Sequence, residues 1–102
     1  MNNSNENKDT KLNNLIEEII RDHQLDSYTD EEVIKDYIKD GIYDINNSVG
    51  ADIDYESDLC AKSLLKNYVA YAMYKKLSEF KELYQGEYAK LQIWYNRDSK
   101  IS

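Results

Sequence analysis

The chain has 102 residues, with 20 acidic and 13 basic side chains, one cysteine, one histidine, three glycines and no proline. That length fits one domain burying roughly 65% of its unfolded surface, enough for one core but not for a core plus a large internal pocket, which weighs against most enzymes. Cys60 alone cannot form an internal disulfide, and with His23 it falls short of a zinc ligand set, so both kinds of scaffold are excluded.

Met1 to Asp9 is polar and lacks an apolar residue after the initiator, so it reads as a flexible arm. From Thr10 onward Leu12, Leu15, Ile16, Ile19 and Ile20 form one stripe of an amphipathic helix, with Asp9 or Thr10 as its N-cap. Glu17 and Arg21 pair on its outer side, and His23 reads as a helix-end residue, not a ligand. Thr29-Asp30-Glu31-Glu32 fits a capping box and predicts a second helix. Val33, Ile34, Tyr37, Ile38, Ile42 and Ile45 supply its inner face, while Asp30, Asp36, Asp40 and Asp44 keep the other side acidic. Gly41 within this pattern implies either a closely packed neighbour or a bend.

Residues 46–54 read as the longest connection. Asp52, Asp54 and Glu56 alternate like the start of a calcium loop, but Ser57 and Ser63 stand where that loop needs Gly and Glu, so helix-start acids are the better reading. From Ser57 onward Ala61, Leu64, Leu65, Tyr68, Val69, Ala72 and Met73 form the core helix, with Tyr71 and Tyr74 on its other side. Lys75 and Lys76 complement that helix's C-terminus, and Ser78 either caps a new helix or rides through a kink. Phe80, Leu83, Tyr84, Tyr88, Leu91 and Trp94 continue at helical spacing, interrupted near Gly86, and residues 97–102 form a flexible polar tail. The expected fold is therefore all-α: a bundle of about four helices over residues 10–96, between the 1–9 arm and the 97–102 tail.

The net charge of −7 opposes tight binding to a phosphate backbone. It is also lopsided: residues 1–58 hold 16 acids and 5 bases, residues 59–102 hold 4 acids and 8 bases. Such a dipole suits head-to-tail contacts between copies, and it equally fits solvated helix faces. No apolar run approaches the ~18 residues of a membrane span, and the start lacks a signal-peptide pattern, so a protein with no membrane partner is expected. Catalytic templates fail for want of a second imidazole, a glycine-rich phosphate cradle or a paired-cysteine motif; neither catalysis nor a cofactor or metal is expected. The positive anomaly is ten tyrosines with Trp94 and Phe80, more rings than a four-helix core can absorb, of which Tyr68, Tyr84 and Tyr88 read as core.

The stretch Tyr55 to Asn96 resembles the C-terminal half of the small head–tail connector proteins of long-tailed bacteriophages, also called head-completion or adaptor proteins. The similarity lies in Asp58, Ala61 and Lys62 before the Leu64 to Val69 segment, then Tyr71, Phe80, Tyr84, Glu87 and the closing Leu91 to Asn96. The helix from Thr29 to Ile45 is also similar. The resemblance implies a helical virion protein, monomeric in solution, that forms a ring, usually twelve-fold, beneath the portal protein once DNA is packaged. That ring prolongs the DNA channel, passes DNA without reading its sequence, and meets a downstream connector, stopper or tail protein. Assembly would take place in the host cytoplasm, with the product at the head–tail interface of the virion.

The C-terminal segment of the family commonly reaches toward the portal, which maps onto Ile93 to Ser102 and makes Trp94, Tyr95, Arg97 and Ile101 the expected docking residues. Tyr71, Tyr74, Lys62 and Lys66 are the expected contacts between subunits, and Asp36, Asp40, Asp44, Asp52 and Asp54 the expected acids of the channel wall. The competing reading is a small acidic regulator whose carboxylates mimic phosphates on a partner's basic surface. It requires acids on the outer faces and few exposed rings.

Overall fold

In the computed structural model, which describes residues 3–22 and 30–96, the described residues form five α-helices and no strand. These are α1 (Asn3–Asp22), α2 (Glu31–Val49), α3 (Leu59–Met73), α4 (Leu77–Leu83) and α5 (Gln85–Asn96). Helix α2 is the hub: it packs against α1, α3 and α5, α1 also lies on α3, and α4 bridges α3 and α5. The all-α expectation is met, with one helix more than expected.

The extra helix comes from a break at Tyr84 (φ −107°, ψ 18°), not at Gly86. The break lets Phe80, fully buried, stack on Tyr84 at a centroid distance of 4.6 Å while meeting Tyr68 edge-on at 5.5 Å and Tyr88 at 6.2 Å.

At the N-terminus, α1 begins at Asn3, seven residues before the expected Thr10 start, so Asp9 and Thr10 lie inside the helix rather than capping it. Its inner stripe is as expected, with Leu15, Ile16 and Ile19 buried. Met1, Asn2, His23 and the 97–102 tail lie outside the described residues. Helix α2 begins one residue later than a Thr29 cap would place it: Asp30 is the cap, and its Oδ1 accepts the Glu32 N–H at 2.9 Å. Thr29 itself lies outside the described residues. Glu32 pairs with Lys35 Nζ at 3.3 Å.

Ile34, Ile38, Gly41, Ile45 and Val49 form the buried side of α2. A Cβ placed on Gly41 would lie 2.6 Å from Leu65 Cδ1 and 2.9 Å from Tyr68 Cδ1, so the glycine answers to close packing by α3 and α2 runs on unbroken. Helix α2 ends at Gly50 in the left-handed region (φ 82°), whose N–H bonds Asn46 O at 2.8 Å. Asn46 then pins the connection: its Oδ1 accepts from Tyr55 Oη at 2.8 Å and Ile53 N at 3.4 Å, and Ile53 is buried. Two side chains of α5 satisfy carbonyls in the last turn of α2, Gln92 on Ser48 O (2.8 Å) and Asn96 on Val49 O (3.1 Å).

The core helix α3 starts at the Asp58 cap, whose Oδ1 accepts Ala61 N at 3.0 Å, and it buries Ala61, Leu64, Leu65, Tyr68, Val69, Ala70 and Ala72. It ends in a Schellman turn: Lys76 N bonds Tyr71 O (2.8 Å) and Lys75 N bonds Ala72 O (3.0 Å). Lys75 holds the left-handed position at φ 61°, where glycine is usual.

Candidate functional site

Of the expected docking residues, Trp94 and Tyr95 lie in the last turn of α5. Helices α3 and α5 both pack on α2, and a groove of about 670 Å³ opens between the first turn of α3 and the last two turns of α5. Its walls include Asp58, Leu59 and Cys60 from α3 with Lys90, Trp94 and Tyr95 from α5. Leu59 is 71% exposed and Trp94 59%, so apolar surface stands open on both sides of the groove.

Tyr95 lines the same groove but is partly buried. Its hydroxyl donates to Asp58 Oδ2, tying the end of α5 to the start of α3. That hydrogen bond, with desolvation, pushes its phenol up to about 12, because ionisation would place two anions in contact. Residues 93–96 therefore belong to the folded body rather than to a free C-terminal segment, while Arg97 and Ile101 lie outside the described residues.

The four residues expected between subunits divide into two kinds. Lys62 Nζ binds Glu18 Oε2 at 2.9 Å, and Lys66 Nζ reaches both Asp22 Oδ2 at 2.8 Å and Glu18 Oε1 at 3.3 Å. Both lysines thus fasten α1 to α3 inside the subunit, with side chains only 19% and 20% exposed. The Lys62 hydrogen bond holds the Glu18 carboxyl below its usual range, and the Asp22 hydrogen bond holds the Lys66 ammonium above its own. Tyr71 is half-buried, 5.5 Å from the Phe80 ring and 5.8 Å from the Tyr84 ring, because α4 covers the side of α3 expected to be open. Tyr74 remains 58% exposed at the end of α3.

The acids expected to line a channel also separate. Asp44 is engaged internally, accepting from Lys81 Nζ at 2.8 Å and Tyr88 Oη at 2.9 Å. Asp54 closes the turn before α3 by accepting Glu56 N at 3.0 Å, the chief cause of its lowered pKa. Asp36, Asp40 and Asp52 are exposed. Among the described residues no group of three or more His, Cys, Asp or Glu side chains is placed to hold a metal, and no helix is long and apolar enough to cross a membrane.

Two features escaped the sequence reading. Leu59 lies off the apolar stripe of α3, so periodicity gave no reason to single it out. The Asp58–Tyr95 bond joins residues 37 apart, although Asp58 ahead of a helical stripe was a recognisable cap signal. The arrangement offers exposed aromatic and aliphatic side chains for burial by a partner, with Cys60 exposed beside them. No protein-family model, curated protein or solved structure matches the chain.

Proposed function

We propose that the chain is a structural protein of the head–tail connector class, docking as a ring beneath the portal of a DNA-filled phage head and joining it to the tail. The observation that carries the reading is the open apolar surface at the α3–α5 groove. Trp94 (59% exposed) and Leu59 (71%) flank it, and Tyr43 (75%) and Tyr74 (58%) are exposed elsewhere. Aromatic residues left in water gain nothing for an isolated subunit and are enriched where protein interfaces close. The similarity of residues 55–96 to the connector family points the same way. A phosphate-mimicking regulator needs few exposed rings, so these side chains favour docking over mimicry.

In this reading Trp94 and the groove meet the portal, together with residues 97–102. Asp52 remains available as a channel acid, Asp36 and Asp40 are left for contact with a neighbouring copy, and Asp44 and Asp54 are committed within the subunit. An acidic wall repels the DNA backbone and lets it slide. The test is to mix the purified chain with portal-bearing, DNA-filled heads and image the portal vertex. A ring of added density below the portal is expected. A bare vertex at saturating protein would reject the connector reading. Removal of residues 97–102 is the informative truncation, because cutting before Ile93 would also remove the Tyr95 and Asn96 hydrogen bonds.

A further inference from the structure

We infer that copies of this chain meet head to tail, the corner between α3 and α4 of one copy (Tyr74, Lys75, Lys76) seating on the outer face of α2 of the next (Asp36, Asp40, Tyr43). The inference deepens the ring proposal and rests on it for the identity of the partner, a second copy.

The assignment follows from which charges the fold has already used. In the basic half of the chain, Lys62 and Lys66 are paired with α1, Lys81 with Asp44 of α2, and Lys90 with Glu87 at 3.6 Å. Lys75 and Lys76 are exposed, and among the described residues no carboxylate lies within ion-pair distance of either. Among the described residues of the basic half, the positive charge left over for a partner is therefore gathered at this corner, beside the exposed Tyr74 ring.

The complementary feature lies on α2. Asp36 and Asp40 are exposed and without an ion pair to a described residue, and Tyr43, at 75%, is the most exposed large hydrophobic side chain among the described residues. At about 100° per residue these three positions sit roughly half a turn around α2 from Ile34, Ile38 and Ile45, all fully buried. The buried side faces α3, so the acidic side faces away from it, and one subunit cannot bring its own α3–α4 corner onto its own acidic face. Two complementary patches that cannot meet within a subunit make a heterologous contact, which propagates from copy to copy and closes into a ring when the rotation allows. The corner sets Lys75 and Lys76 beside Tyr74, and the α2 face sets Asp36 and Asp40 beside Tyr43 with one cation, the exposed Lys39, among them; the two faces keep opposite net charge, which aligns the copies while the rings supply buried area.

The test uses the full chain with Cys60→Ser, to prevent disulfide artefacts, in sedimentation velocity over a concentration series at about 0.05 M and again at about 0.5 M salt. The free chain is expected to be monomeric when dilute, as the connector reading implies, with self-association only at the top of the concentration series, stronger at low salt than at high. Lys75→Glu with Lys76→Glu should weaken it about tenfold, Asp36→Lys with Asp40→Lys likewise, and the four changes together should restore it. Lys76→Glu alone leaves the left-handed position untouched and should lose several-fold, guarding against a folding artefact at Lys75. Carbodiimide coupling should yield intersubunit links from Lys75 or Lys76 to Asp36 or Asp40. Absence of both association and these links, or association indifferent to the reversals, would overturn the interface. A ring that forms normally on portal-bearing heads with the Lys75→Glu, Lys76→Glu chain would also overturn it while leaving the connector reading intact. Failure of the unmodified chain to bind those heads would remove the connector reading itself.

Discussion

Alanine in place of Gly41 should destabilise the fold although it improves the helix. The added methyl would lie 2.6 Å from Leu65 Cδ1 and 2.9 Å from Tyr68 Cδ1, against about 3.5–4.0 Å for an ordinary carbon contact. Leu65 is fully buried and Tyr68 is 6% exposed with its ring held edge-on to Phe80, so neither can swing aside and α2 and α3 must separate. Overpacking of this kind costs about 1–3 kcal/mol. Relief of the glycine penalty in a helix interior returns about 1 kcal/mol. The net expectation is a loss of up to about 2 kcal/mol, or a melting temperature lower by up to about 15 °C for a domain of this size. Two other glycines calibrate the result. Gly50→Ala meets no atom within 4 Å but sits at φ 82°, so it should cost about 1 kcal/mol through the backbone alone. Gly86→Ala, in open space near the start of α5, should be neutral or stabilising by a few tenths of a kcal/mol. Urea unfolding followed by circular dichroism reads all three. A Gly41→Ala protein more stable than the parent by the full helix gain of about 1 kcal/mol would refute the close packing of α2 on α3.

Lys75→Gly should stabilise the chain by about 1 kcal/mol, because φ 61° is strained for a residue with a Cβ; a lower melting temperature would contradict the Schellman turn. Glu18→Gln should cost about 1 kcal/mol at low salt and less at high salt, since it breaks the α1–α3 ion pairs. The Glu18 carboxyl is held below its usual value of 4.5, so its contribution is complete above that pH and fades as pH falls through and below it; urea midpoints should drop less on acidification in the Gln variant. At the alkaline end the sign reverses. The Tyr95 phenol is raised from 10 to about 12, so its contribution is intact below pH 10 and is lost as pH climbs toward 12. Tyr95→Phe should remove part of that alkaline loss, and an unchanged stability profile would show that the Asp58 bond contributes nothing.

The interior was legible because helical spacing reports burial directly: Ile34, Ile38 and Ile45, and Leu64, Leu65, Tyr68 and Val69, all lie in the core where the pattern placed them. Gly41 was legible as a close approach or a bend, and only the position of Leu65 selects the former. Local chemistry was ambiguous where neighbours compete for one role. Thr29 and Asp30 can both cap α2, and the choice depends on how the chain enters the helix. The break at Tyr84 falls on neither a glycine nor a proline, so no local signal marks it. The surface was least legible, since an ionic partner is a tertiary fact. Lys62 and Lys66 read as outward-facing charges, yet their partners lie 44 and 48 residues away on α1. The lopsided charge is thus partly neutralised inside each subunit, and the portion left for assembly is smaller and more localised than composition implied.

The connector account stands on Trp94, the single tryptophan, being covered by a partner. Hydroxyl-radical footprinting of the chain, free and after mixing with portal-bearing heads, measures this directly by mass spectrometry of the peptide that carries it. The account predicts rapid oxidation of Trp94 in the free chain and strong protection in the head-bound fraction. Equal oxidation of Trp94 in the free and head-bound chain would contradict it.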